Sequence, residues 1–444
     1  MQPPVHEDAE FEDRTYAKVI RRLVPFLLLC YVVAYLDRVN VGFAKLQMLN
    51  DLKFSETVYG LGAGIFFIGY FLFEVPSNII LHRTGARRWI ARIMVTWGLI
   101  SAAMMFVSSP TSFYVMRFLL GVSEAGFFPG IILYLTYWFP AARRGKVVAL
   151  FMTAIALAGV IGGPLSGWIM QAFGGLNGWA GWQWLFLLEG IPSVLVGIWV
   201  LFYLDDSIKA AKWLQPEEKK LLEQRIAQDG AHIADHGIGG VFRNGKVWLC
   251  ALIYFCFIMG LYGVSFWLPQ LIKGMGIKDV LDVGLLTMIP YGVAVVVMVL
   301  AGRNSDRTGE RRWHPAIAAM VGGLGLILAG VNANSPVLGM AALTLATAGI
   351  LTSLPLFWPL PTAFLGGAAA AAGIAIINSL GNLAGFVSPF MVGSIKDATG
   401  SATLGLYVIA ASLFIGAGLI LGFVPKTQPT TTQPTGRDPQ AAHR

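Results

Sequence analysis

Six charged side chains interrupt the long apolar runs of this 444-residue chain: Asp37, Arg38, Glu74, Arg117, Glu124 and Glu189. In lipid each costs several kcal/mol unless it is paired, hydrated or put to use, so each is a functional candidate. Arginine never loses its charge, and its planar fork suits two-point recognition of a carboxylate. Acids that gain and lose a proton change the charge of their surroundings by one. This set therefore suits binding an acid against a proton. It does not suit catalysis. The histidines, His6, His82, His232, His236, His314 and His443, fall near the chain ends or between apolar runs. No H-E-x-x-H pattern, phosphate loop or buried Ser–His pairing occurs, so an enzyme is not expected. Cys30, Cys250 and Cys256 sit in apolar segments without metal or disulfide spacing, and read as small core residues. No metal or cofactor is expected, only protons as the coupling ion.

Lipid must be the solvent for these charges. The chain is 56% hydrophobic and only 13% charged, with mean hydropathy +0.66. A soluble surface needs about twice that share of charge. Twelve runs are long enough to cross a bilayer: 23–43, 58–81, 90–108, 112–138, 147–172, 183–204, 247–271, 283–302, 315–333, 336–360, 371–395 and 402–424. The connections alternate in charge. One side carries Arg83, Arg87, Arg88 and Arg92, then Arg143, Arg144 and Lys146, then Arg303, Arg307, Arg311 and Arg312. The other carries Lys45, Lys53, Lys273, Lys278 and Lys396. The positive-inside rule makes the first side cytoplasmic, together with both termini. The net charge of +8 thus reflects topology rather than nucleic-acid binding. The acidic N-terminal stretch and full-length first run predict an uncleaved insertion signal in an inner (plasma) membrane protein.

The predicted organisation is a cytoplasmic tail (1–22), a six-helix bundle (23–204), a cytoplasmic linker (205–246), a second six-helix bundle (247–425) and a disordered tail (426–444). Pro216 followed by Glu217 and Glu218 predicts a short amphipathic helix inside the linker. A repeat supports two equivalent halves: residues 83–89 read RTGARRW and residues 307–313 read RTGERRW. Duplicated helical units are a recurrent transporter design, with substrate held between them.

With these motifs the chain resembles the major facilitator superfamily. Gly302, Asp306, Arg307, Gly309, Arg311 and Arg312 match that superfamily's G-x-x-x-D-R-x-G-x-R-R loop, which is linked to gating. The first copy keeps Arg83, Gly85 and Arg87 but has Asn78 for the glycine and His82 for the aspartate, which puts its latch in doubt. Arg117–Gly121 resembles the fourth-helix motif, and Gly159, Gly163, Pro164 and Gly167 the fifth-helix G-x-x-x-G-P-x-x-G pattern. More narrowly, YLDRVNVG (35–42), RFLLGVSEAGFFPG (117–130) and KDATGS (396–401) are similar to the anion:cation symporter family, nearest its bacterial permeases for tartrate, hydroxyphenylacetate and related acids. The resemblance implies an all-α membrane protein, with twelve transmembrane helices in two pseudo-symmetric bundles.

Depth can be read from the helix rise of about 1.5 Å per residue. Asp37 and Arg117 then lie at about the same depth, near the outer interface, and Glu124 about 10 Å deeper on the Arg117 face. The expected arrangement pairs Asp37 with Arg117 across the first and fourth helices. Arg38 takes the substrate carboxylate, and Glu124, far from water, holds a proton near neutrality. The resemblance implies the same roles: Asp37 and Glu124 for protons, Arg38 and Arg117 for the anion. Tyr35 and Tyr70 are expected to offer hydroxyls. Ser353, Trp358, Asn378 and Asn382 are expected to supply polar and aromatic contacts from a second bundle that carries no charge in its apolar runs. Glu74 is expected to bond a neighbouring helix or gate the inner side, and Glu189 to serve packing. The expected function is proton symport of a small organic anion by a monomer in the bilayer. A sugar-acid symporter and an organic-anion antiporter are the alternatives within transport, and a channel is the alternative outside it.

Overall fold

The computed structural model describes residues 5–231, 243–364 and 367–424. The predicted tail 426–444 lies outside them. In lipid a backbone must satisfy its own hydrogen bonds, and only helices do so within one segment. The twelve apolar runs accordingly fold as twelve helices long enough to span: α1 (Ala9–Leu52), α2 (Glu56–Leu81), α3 (Ala86–Phe106), α4 (Pro110–Thr136), α5 (Arg143–Ala172), α6 (Gly181–Tyr203), α7 (Gly245–Gly274), α8 (Val280–Thr308), α9 (Trp313–Val331), α10 (Pro336–Pro361), α11 (Gly373–Thr399) and α12 (Thr403–Phe423). The described residues contain no strand.

Local chemistry sets the ends. Ser55 accepts from the Val58 N–H at the start of α2, and Asp279 from the Leu281 N–H at the start of α8. Ser109 and Ser112 form a reciprocal cap at α4, with Pro110 behind it. Gly126, at φ +85°, interrupts α4 just after Glu124.

Helix extends back through most of the expected N-terminal tail, to Val5. Lys18 bonds Glu218, 2.7 Å away on the linker helix Pro216–Ala231, and Glu12 meets Arg143 and Arg225. The linker helix supplies partners that the acidic N-terminal residues would lack in isolation.

Within each half, helices approach through small residues. α3 lies against α6 where a Cβ on Gly190 would stand 2.7 Å from the Gly98 carbonyl. Between the halves, α2 packs on α11 and α5 on α8. The internal duplication relates α2 to α8 and α5 to α11, so the two interfaces are images of one another. Both are glycine-lined: a Cβ on Gly60 would stand 2.3 Å from the Pro389 carbonyl, and one on Gly284 2.3 Å from that of Gly163.

These contacts crowd one end of the bundle, the end away from both described termini. Lys45, wholly buried, pairs with Glu56 at 2.6 Å and lies 3.3 Å over the Trp267 ring. Glu56 also binds Lys396 at 2.5 Å, and Asp397 accepts the backbone N–H groups of Glu56 and Thr57. Tyr59 donates to the Phe266 carbonyl, and Lys273 to that of Leu46. Three cations, two acids and the α2 N-terminus thus fasten the halves together at that end.

Candidate functional site

Between the halves lies a pocket lined by Tyr31, Arg38 and Tyr70 from the first half and by Tyr254, Tyr262, Asn378 and Asn382 from the second. Its cavity volume is about 30 Å³, against about 300–1,000 Å³ for a typical small-molecule site. In this state it is contracted around its own side chains. A larger recess of about 460 Å³ at the far rim, bounded by Gln47, Asp51 and Gln171, opens to solvent and contains none of the buried charges.

Arg38 is the centre of the pocket. Its Nε and Nη2 both reach Oε1 of Glu124, Nε at 3.1 Å, and its Nη1 donates to the Tyr262 hydroxyl at 2.9 Å. Arg38 is 5% exposed and Glu124 1%. The guanidinium carbon lies 5.4 Å from the Phe66 ring centre and 5.6 Å from that of Tyr70. One guanidinium thus joins the first half, through Glu124 on α4, to the second, through Tyr262 on α7. Tyr262 carries no charge, and nothing in the sequence singled it out.

The expected Asp37–Arg117 pair does not form. Asp37 points to the other side of α1 from Arg38. There it accepts from Trp97 Nε1 at 3.0 Å, Ser101 Oγ at 2.7 Å and Ser193 Oγ. Arg117 turns instead towards α2 and donates to the carbonyls of Gly62 and Ala63 at 3.3 and 3.2 Å. The reason is rotational position. Gly121 and Gly69 let α4 and α2 meet backbone to backbone, so the Arg117 face is covered by α2 rather than α1. Equal depth along two helices says nothing about which faces meet.

The remaining candidates divide. Tyr70, Asn378 and Asn382 line the pocket. Asn382 gives its amide to the Asn378 carbonyl at 3.0 Å. Tyr35 lies one shell out, its hydroxyl 3.0 Å from Ser265. Ser353 is spent on its own helix, donating to the Ile350 carbonyl. Trp358 packs at a tilt against Tyr254, ring centres 4.9 Å apart, and Tyr254 does face the pocket. Glu74 bridges the halves: it accepts from Asn378 Nδ2 at 3.1 Å and Ser379 Oγ at 2.8 Å. At about 27 Å along α2 from Glu56, this bridge lies on the terminal side of the pocket. There it forms a thin seal beside the many contacts at the opposite end.

The two loop motifs also differ. Asp306 holds Arg311 at 2.8 Å in the second copy, beside Gly309 at φ +69°; Arg307 is exposed and Gly302 borders open space. Partial burial pushes the Glu310 carboxyl up, but the N–H groups of Trp313, Arg312 and His314, with the His314 ring, overcome this and hold it below the usual carboxylate value. In the first copy, where His82 stands for the aspartate, Asp206 from beyond α6 supplies a carboxylate. It accepts the Arg87 N–H at 2.9 Å and lies 3.6 Å from Arg87 Nε. Gly85, at φ +89°, lets the backbone pass it, while Arg83 is exposed.

Residues 27–389 match the sequence model of the Major Facilitator Superfamily. The chain is 52% identical over 414 residues to an Agrobacterium vitis protein named "Putative tartrate transporter", covering 93% of this chain and 92% of that one. It is 47% identical over 425 residues to "Putative metabolite transport protein NicT" of Pseudomonas putida, covering 95% and 97%. Its fold resembles a partially occluded inward-open structure of the xylose transporter XylE from E. coli, with TM-score 0.75 at 17% identity, over 92% of this chain and 98% of that one.

Proposed function

The chain belongs to the Major Facilitator Superfamily, and from that premise we propose that this multi-pass transporter carries a small organic anion, a tartrate-like hydroxy acid, together with protons across the inner membrane. Both termini face the cytoplasm, as the arginine-rich connections favour. The observation that carries the reading is the Arg38–Glu124 contact. The only guanidinium lining the pocket among the described residues is already held by a carboxylate of the protein.

A substrate carboxylate must displace that partner. With Glu124 ionised, an incoming anion competes for Arg38 and meets a second negative charge in a contracted, poorly hydrated space. A proton on Glu124 removes the competitor. The fork of Arg38 then turns to the substrate carboxylate, and Tyr262 keeps Arg38 tied to the second half. Tyr70, Asn378 and Asn382 face the same space and suit the hydroxyls and second carboxylate of a tartrate-like acid. Loss of the proton restores the Arg38–Glu124 pair and expels the anion.

The halves rock to expose the pocket alternately. Closure on the outer side rests on the Lys45–Glu56–Lys396 cluster and the glycine-lined α2/α11 and α5/α8 seams. Opening on the cytoplasmic side needs chiefly the Glu74 bridge to part. One chain supplies both walls of the pocket, so a monomer suffices. An antiporter of organic anions would have no use for a titratable group on Arg38, which favours symport.

The test is uptake into proteoliposomes under an imposed pH gradient, with tartrate, 4-hydroxyphenylacetate and glucarate as probes. Tartrate is expected to accumulate when the outside is acidic, and a protonophore to abolish this. Saturable flux indifferent to the gradient for every probe would reject proton coupling.

A further inference from the structure

Four buried carboxyls stand in the first half, Asp37, Glu74, Glu124 and Glu189, against two buried guanidiniums, Arg38 and Arg117. Of these six described side chains only Arg38 and Glu124 form an ion pair with one another. A low-dielectric interior does not hold surplus like charge, so some of the remaining acids must be neutral. Two of them are neighbours. Ser193, which donates to Asp37, lies one helical turn beyond Glu189 on the same face of α6. Glu189 Oε1 accepts from Ser166 Oγ of α5 at 2.7 Å. Glu189 Oε2 has no partner, and neither does the amide of Asn40, though both residues are at most 3% exposed. Asn40 sits on α1 one turn beyond Asp37.

We propose that Asp37 and Glu189 form a proton-binding dyad, separate from the substrate pocket, in which Glu189 carries a coupling proton. This rests on the proton-symport reading above. The hydrogen-bond donors to the dyad among the described residues are neutral: Trp97 and Ser101 from α3, Ser166 from α5 and Ser193 from α6. The charged groups that act on it are the two members themselves and, through Asp37, Glu124 on α4. Two carboxyls without a cation share their surroundings most cheaply when one holds a proton. The orphaned Oε2 of Glu189 is where that proton resides. Asp37 adjoins Arg38 in sequence but meets α3 and α6, whereas Arg38 meets α4 and α7. The dyad's charge therefore bears on the anion site without touching the anion.

The experiment measures tartrate accumulation in proteoliposomes with the membrane potential clamped at zero and one unit of pH gradient, for wild type, Glu189→Gln, Glu189→Asp and Glu124→Gln. Each coupled proton multiplies equilibrium accumulation about tenfold per pH unit. Glu189→Gln is expected to accumulate about tenfold less than wild type while retaining tartrate exchange with no gradient imposed, and Glu189→Asp to restore accumulation. Glu189→Gln equal to wild type would overturn the dyad. So would loss of exchange that Glu189→Asp does not rescue, since a packing role predicts that result. Replacement of the pH gradient by a sodium gradient as the driving force would overturn the assignment to protons. If wild type itself shows no pH-driven accumulation, the symport reading fails rather than the dyad alone.

Discussion

Replacing Glu124 by glutamine isolates the step on which coupling turns. Gln keeps the shape and one carbonyl acceptor but cannot ionise. In the structure Arg38 Nε stands 3.1 Å from Glu124 Oε1, with both side chains almost wholly buried. Opposite charges at that separation attract by about 5 kcal/mol at an effective dielectric constant of about 20. Breaking buried pairs costs about 3–5 kcal/mol. An anion that displaces ionised Glu124 must overcome this, whereas one that meets protonated Glu124 does not. Taking about 3 kcal/mol as the difference, wild-type affinity should fall about 10²-fold from acid to alkaline pH. The sign follows from the competition: removing the proton from Glu124 restores the competitor. Glu124→Gln should bind tartrate with the wild type's acid-side affinity at every pH. It should still exchange tartrate across the membrane, yet accumulate it about tenfold less than wild type per unit of pH gradient. Calorimetric titration of purified protein over a pH series gives the first result, and proteoliposome uptake the second. Parallel pH profiles for the two proteins, or undiminished pH-driven accumulation in the variant, would show that Glu124 is not the competing group.

Other outcomes follow from the same geometry. Arg38→Lys replaces a three-contact fork by a point charge, and tartrate affinity should drop about 10–10²-fold without loss of the folded protein, read by calorimetry beside a thermal melt. Gly284→Ala would place a methyl group 2.3 Å from the Gly163 carbonyl and should hold the α5/α8 seam open. Thr287→Cys, beside that seam, should then react faster with an impermeant thiol reagent in the Gly284→Ala background than alone, and equal rates would refute the wedge. Lys45→Met strips a fully buried cation from Glu56 and the Trp267 ring. It should weaken outer closure by about 3 kcal/mol, seen as a lower melting temperature and a faster Thr287→Cys reaction.

The seam glycines show why such small changes matter. Gly60, Gly163 and Gly284 meet backbone on the opposite half, so the closed state has no room for a side chain. The partner across each seam was visible only once the chain had folded.

The spans, the two equivalent halves and the buried charges were all legible in the sequence, because lipid penalises polarity one residue at a time and helices follow directly from that. Arg38 and Glu124 could be singled out, since a charge in an apolar run needs no context to stand out. Their union was not legible, and neither was the failure of Asp37 to meet Arg117. Depth is a property of one helix, read at a fixed rise per residue, but contact depends on how each helix is rotated about its axis and on which neighbour covers each face. Gly121 and Gly69 decided that for Arg117 by drawing α4 against α2. Tyr262, Ser193 and Asp206 joined the site's machinery only through packing, because an uncharged or loop residue acquires its role from what the fold sets beside it.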